Sequence, residues 1–176
     1  RQSYSFHMPL FYFISGYFYN EDHEKEKRKY IWSKFKKNVG LFYFYYFIMI
    51  VFSLLIRWKY SISLGTISWY TIFVKPFTMG PENPGFLMGP AWFILSLFLV
   101  QSIFVFLFPL IKKIFKKDLY KILFFLFLGI GSIYLGNQKW SRNEFVIMFL
   151  RTNVGMMFYY LGYFYKKNIE NKINIF

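Results

Sequence analysis

Phe6-His7-Met8-Pro9-Leu10-Phe11-Tyr12-Phe13-Ile14-Ser15-Gly16-Tyr17 is apolar enough to enter a bilayer, yet it carries a histidine, a proline and a Ser-Gly pair. In a water-soluble protein such a run would be at most a buried helix. Four more apolar blocks follow it, separated by lysine-rich hinges, and that repetition decides the reading. The chain reads as an all-α, polytopic integral membrane helix bundle, a single membrane domain over residues 1–176 with about five transmembrane helices.

Composition agrees. Of 176 residues, 56% are hydrophobic and 27% aromatic, while 17% are charged; soluble domains carry about a quarter charged residues. Disordered chains are poor in aromatics, so low-complexity disorder does not fit. The absence of cysteine excludes disulfides, thiol catalysis and thiolate metal sites. The chain opens on Arg1, and no small-residue cleavage site follows the first apolar run, so no signal peptide is expected and the sequence reads as a piece of a longer chain.

Working outward from the opening stretch, the first segment runs from Tyr4 to Tyr19, about 24 Å of helix against a hydrocarbon core of about 30 Å. Pro9 falls near its first turn, where a missing N–H costs little. Residues 20–38 read as a polar helix or loop lying on the membrane surface, with Tyr30, Ile31, Trp32 and Phe35 dipping inward. Val39 to Ile56 is uncharged and spans, followed by the interfacial belt Arg57-Trp58-Lys59-Tyr60. Residues 61–90 are broken by Lys75, Pro76 and the run from Gly80 to Gly85. Ala91 to Ile111 spans and is expected to end at Pro109 and the lysine pairs after it. Leu119 to Leu135 spans, with Ser132 and Gly136 at small-xxx-small spacing for close helix contact. Phe145 to Tyr165 is the fifth span, ending at Lys166-Lys167.

The net charge of +14 tests that layout. Alternating the hinges puts fifteen Lys and Arg on the side of residues 20–38, 112–121 and 166–172, and six on the other, with Arg151 inside a span. The positive-inside rule makes the richer side cytoplasmic. A further span at Thr66–Val74 would send the Lys112–Lys117 cluster outside, so 61–90 is expected to be an extracytoplasmic loop, partly re-entrant. The charges lie in hinges rather than on one face of a folded domain, so membrane orientation accounts for them and no nucleic-acid partner is expected.

Few residues could carry chemistry. His7 can act as general base toward a hydroxyl that attacks an acyl carbonyl; the plainer role is an interfacial hydrogen bond. Arg151, about 9 Å into its span, can pair with an anionic group or snorkel outward. Gln101 and Ser96, with Thr152 and Asn153, can line a polar cavity or bond between helices, the second being commoner. Trp69 and Trp92, with Tyr70, could form a rim for sugar stacking or an aromatic belt. There is no metal-ligand spacing, nucleotide-phosphate loop or nucleophile elbow.

Two motifs together, FHMPLFYFISGYFY at Phe6–Tyr19 and GPAWFILSLFLVQSIF at Gly89–Phe104, resemble the acyltransferase-3 family, in its fucose 4-O-acetylase-like branch. KRKYIWSKFKKN and FYYLGYFYKK support the likeness, which covers nearly the whole chain. The resemblance implies an integral membrane enzyme of about ten helices that moves an acetyl or other acyl group onto a carbohydrate hydroxyl. The acyl group comes from a cytoplasmic donor, acetyl-CoA or another acyl-CoA, with no metal. It implies a bacterial plasma membrane setting and an acceptor that is a surface polysaccharide or lipid-linked sugar. His7 and the Gly89-Pro90-x-Trp92-Phe93 run carry over as motif positions. The family's first helix, with the histidine usually held to be catalytic, and its last helices have no counterpart here, so the chain is expected to be a fragment. A transporter or flippase-like protein, or a non-catalytic membrane subunit, remain the rival readings. A transporter would need charged groups stacked along a pathway, where only Arg151 qualifies.

Overall fold

The computed structural model describes residues 3–60, 69, 73, 92–138 and 143–170. The described residues form helices and no strands. α1 is Ser3–Tyr17; a 3-10 turn, Glu21–Glu24, leads to α2, Lys27–Lys34; a π-helical turn, Phe35–Gly40, joins α2 to α3, Leu41–Tyr60. α4 is Trp92–Ile114, α5 is Asp118–Gly136 and α6 is Glu144–Phe164, continued by a π-helical turn over Tyr165–Ile169.

Three stretches are long and apolar enough to cross a membrane: Phe93–Ile114, Asp118–Gly136 and Phe145–Ile169. α3 is 20 residues, about 30 Å by helical rise, while α1 at 15 residues is about 22 Å, short for a span as expected. The chain is an integral membrane helix bundle. Its starts and stops follow local chemistry. Asn143 caps α6 by accepting from the Phe145 amide at 2.9 Å. Asp118 opens α5 with a negative charge at the positive end of the helix dipole and holds Lys121 at 2.8 Å.

Three expectations are corrected. Pro109 does not end α4, which continues to Ile114. Proline removes only its own bond to the carbonyl four residues back, and the surrounding bundle tolerates that loss. Pro9 lies two turns inside α1 rather than near its start, because the helix begins at Ser3. The helix that carries the expected second span starts before Val39: Lys34, Phe35 and Leu41 all keep right-handed helical backbone, so α2, the π-turn and α3 form one continuous helical run from Lys27 to Tyr60. Of the four side chains expected to dip into the membrane from the 20–38 segment, Tyr30 is buried and Ile31 half-buried within the bundle, while Trp32 and Phe35 are exposed on its outside, where a bilayer would meet them. The expected extracytoplasmic loop, residues 61–90, lies outside the described residues apart from Trp69 and Phe73.

α6 is the hub. It runs beside α1 and α4 in the same direction and against α5 in the opposite one. Phe104, Phe108, Phe125, Tyr159 and Tyr160, all nearly inaccessible, fill the space between α4, α5 and α6. Phe125 stacks on Tyr160 at 4.4 Å between centroids, an offset arrangement that adds to area burial.

Candidate functional site in the helix-bundle interior

The bundle centre is set by glycine. A Cβ on Gly16 of α1 would strike the Tyr159 carbonyl, and one on Gly162 of α6 would strike the Phe13 carbonyl. The two backbones therefore touch, as small residues allow between helices in a bilayer. One turn outward Gly155 leaves room for the Tyr12 ring; a Cβ there would sit 3.0 Å from it. The ring also meets Phe93 edge-on at 5.0 Å.

With its ring held, the Tyr12 hydroxyl lies 2.7 Å from the Ser96 hydroxyl of α4, both residues buried. Arg151, half-buried one turn before Gly155, is within electrostatic reach of the same hydroxyl. Tyr12, Ser96 and Arg151 thus form one polar cluster of α1, α4 and α6 near the outer end.

The pairings Tyr12–Gly155 and Gly16–Tyr159, continued one turn outward, put Met8 beside Arg151. His7 therefore lies at the depth of Arg151. The His7 side chain itself lies outside the described residues, as does that of Trp92 at the first position of α4.

A second polar layer lies deeper. Gln101, nearly fully buried, donates to the Ser15 hydroxyl at 2.6 Å and accepts from the Asn38 amide at 3.2 Å. Asn38 sits in the π-turn, a distortion that often marks functional positions. The Tyr159 hydroxyl lies 3.4 Å from that of Tyr30. On the other flank of α6 the Asn153 amide donates to Ser132 at 3.1 Å, and Ser132 passes its own proton to the Leu128 carbonyl at 2.7 Å. Ser96, Gln101 and Asn153 all bond between helices; Thr152 instead bonds the Met148 carbonyl of its own helix at 2.8 Å. Trp69, mostly exposed, stacks on Phe73 at 5.5 Å, and Phe73 in turn meets Tyr43 of α3.

At the opposite end the hinges converge. Glu21 accepts from Lys112 at 3.0 Å, from Lys167 at 2.8 Å and from the Tyr163 hydroxyl. Glu24 takes Lys112 on both oxygens at 2.7 Å. Burial alone would raise the Glu21 pKa, but Lys167, Tyr163 and Lys112 hold it down at about 2. Beside this knot a cleft of about 410 Å³ is bordered by His23, stacked on Tyr30 at 4.4 Å, and by Lys25 and Lys29. Burial, then Lys34, push His23 below the usual histidine range. Among the described residues no group of three or more His, Asp or Glu is placed to hold a metal.

Tyr12, Ser15, Asn38 and the Glu21 knot were not singled out from sequence. The spacing Tyr12, Ser15, Gly16, Tyr19 is a polar and small stripe at i, i+3, i+4, i+7, and it is the signal that marks this face of α1.

A family described as an acyltransferase domain matches residues 2–174 of the chain. No curated protein and no solved structure gives a match.

Proposed function

The chain belongs to this acyltransferase-domain family, and from that premise we propose that it is part of a membrane-bound O-acyltransferase, in the first instance an O-acetyltransferase of a bacterial plasma membrane. The acyl donor is a cytoplasmic thioester such as acetyl-CoA, and the acceptor is a hydroxyl of a cell-surface carbohydrate or lipid-linked sugar. The family match over almost the whole length is the observation that carries this reading.

The chemistry asked of the residues is modest. An alcohol attacks the thioester carbonyl, the new C–O bond forms, the C–S bond breaks and the thiol leaves. His7 takes the proton of the attacking hydroxyl, a role worth about 10²–10⁴-fold in rate for a general base. Arg151 stabilises the oxyanion or holds an anionic part of donor or acceptor. Gln101 and Asn153 contribute to acceptor contacts by repositioning out of their interhelical bonds, and Trp92 and Trp69 by stacking on sugar faces.

The test is acyl transfer in membranes containing the product of the full-length gene, given radiolabelled acetyl-CoA and a polysaccharide extract. Label is expected in carbohydrate, reduced at least a hundredfold by His7→Ala and at least tenfold by Arg151→Ala. Label retained in both variants returns the two residues to structure. No label with any acceptor overturns the acyltransferase reading.

A further inference from the structure

The helical run from Lys27 to Tyr60 does not lie flat on the bundle's cytoplasmic end. Lys27 sits over the Phe106 ring at 5.3 Å, Phe35 packs on Phe98, and Asn38 bonds Gln101, so α2 and the π-turn climb alongside the inner half of α4. Gln101 precedes Lys112, which marks the charged end of α4, by about 16 Å of helical rise. The basic residues of α2 therefore stand within the inner leaflet's thickness, where an ammonium must find water or an anion.

The side chains answer this requirement. Lys34 and Lys36 each reach back one turn, toward the cytoplasmic end, with their ammoniums 5.4 Å over Tyr30 and 5.2 Å over Trp32. This is snorkelling toward the cytoplasmic end. Trp32 and Phe35 stack at 5.5 Å with their rings 4° from parallel, and both are exposed, Trp32 by 58%. Arg28, Trp32 and Lys36 follow one another at i, i+4 and i+8 along the outer face. Among the described residues no carboxylate pairs with Arg28, Lys36 or Lys37, whereas Lys25 and Lys29 have partners at 2.8 and 2.9 Å. The same face runs on without interruption into the exposed apolar side of α3, through Leu41, Phe44 and Ile48.

We propose that the outer face of α2, formed by Arg28, Trp32, Phe35, Lys36 and Lys37, is a binding surface for anionic phospholipid of the inner leaflet. The Trp32–Phe35 stack occupies the headgroup–acyl boundary, and the three unpaired cations meet lipid phosphates. Each basic residue at an anionic surface is worth roughly fivefold in local lipid preference, so the three together favour anionic lipid by on the order of a hundredfold. The continuity with a lipid-facing helix and the missing carboxylates favour lipid over a protein partner.

The test uses the full-length protein reconstituted in phosphatidylcholine vesicles that contain either brominated phosphatidylglycerol or brominated phosphatidylcholine at equal mole fraction. Subtracting the fluorescence of Trp32→Phe from that of the wild type isolates Trp32 from the other tryptophans. Brominated phosphatidylglycerol is expected to quench Trp32 severalfold more than its phosphatidylcholine counterpart. That excess is lost in Arg28→Gln/Lys36→Gln/Lys37→Gln and, in the wild type, is lost on raising salt, which does not depend on the variant folding. Equal quenching by both lipids overturns the proposal, as does no quenching, which would mean protein covers the face. Release of the quenching by soluble diphosphate at constant ionic strength would reassign the surface to a soluble phosphate ligand.

Discussion

Three glycines decide whether the interior can form at all. Gly16 and Gly162 let α1 and α6 meet backbone to backbone, and Gly155 opens the slot for Tyr12. The obstacle to a Cβ at Gly162 is main chain, which cannot rotate away, so Gly162→Ala is expected to destabilise by at least the roughly 1–3 kcal/mol typical of overpacking. Gly131, with no atom within 4 Å of its would-be Cβ, supplies the control: Gly131→Ala is expected to be neutral or stabilising by up to about 1 kcal/mol. Thermal unfolding in detergent, followed by tryptophan fluorescence, checks both; a harmless Gly162→Ala would mean that the α1–α6 contact is looser than described. Small residues between helices were legible in kind but not in place. Ser132 does meet α6, through Asn153, but Gly136 leaves a Cβ 3.9 Å from Leu150, and the tight contact is made by Gly129 against Met157. Spacing tells which positions share a face; it does not tell where along that face two helices cross.

At the scale of the element, the turn Glu21–Glu24 works as a clasp. It ties the exit of α1 to the end of α4 through Lys112 and to the end of α6 through Lys167 and Tyr163. The Glu21 carboxyl titrates at about 2 rather than at the ordinary 4.5 because those three donors outweigh its burial. A carboxyl with a lowered folded pKa contributes stability that is fully present above about 4.5 and is lost as the pH falls through about 2. Because Glu21 is 41% exposed, solvent screening reduces the contribution. The unfolding temperature is thus expected to hold from neutral pH down to about 5 and then to decline toward pH 2, with Glu21→Gln lower at neutral pH and flatter in acid. Parallel acid profiles for the two proteins would remove the clasp from the account. In sequence these acids look like ordinary solvated charges in a basic hinge, since their partners lie about 90 and 145 residues away. The continuous α2–α3 run was hidden for a related reason. The change from charged to apolar at Val39 reads as a helix start, whereas the backbone crosses it through a π-turn held by the Asn38–Gln101 bond.

For the whole molecule the orientation is the quantity to measure. The clasp brings residues 21–24, 112 and 167 to one end, in agreement with the alternation that gathers fifteen basic residues there. Residues 1–176 contain no cysteine, so a single introduced cysteine has no competitor within them. Lys116→Cys and Asn137→Cys bracket α5. A membrane-impermeant thiol reagent added to intact cells is expected to label Asn137→Cys, and to label Lys116→Cys only after permeabilisation. The reverse pattern would invert the protein, and labelling of both from one side would mean that α5 does not span. Class, membrane setting, family and the approximate positions of the helices were open to reading from sequence. Transfer free energy and charge bias add residue by residue, whatever each helix later packs against. Tertiary structure alone decided which face of each helix turns inward. It brought Arg151 within electrostatic reach of Tyr12, joined Tyr12 to Ser96, and paired Glu21 with lysines at two distant helix ends. Those outcomes depend on pairwise shape, on where a missing Cβ lets two backbones touch, and no sum over single residues contains them.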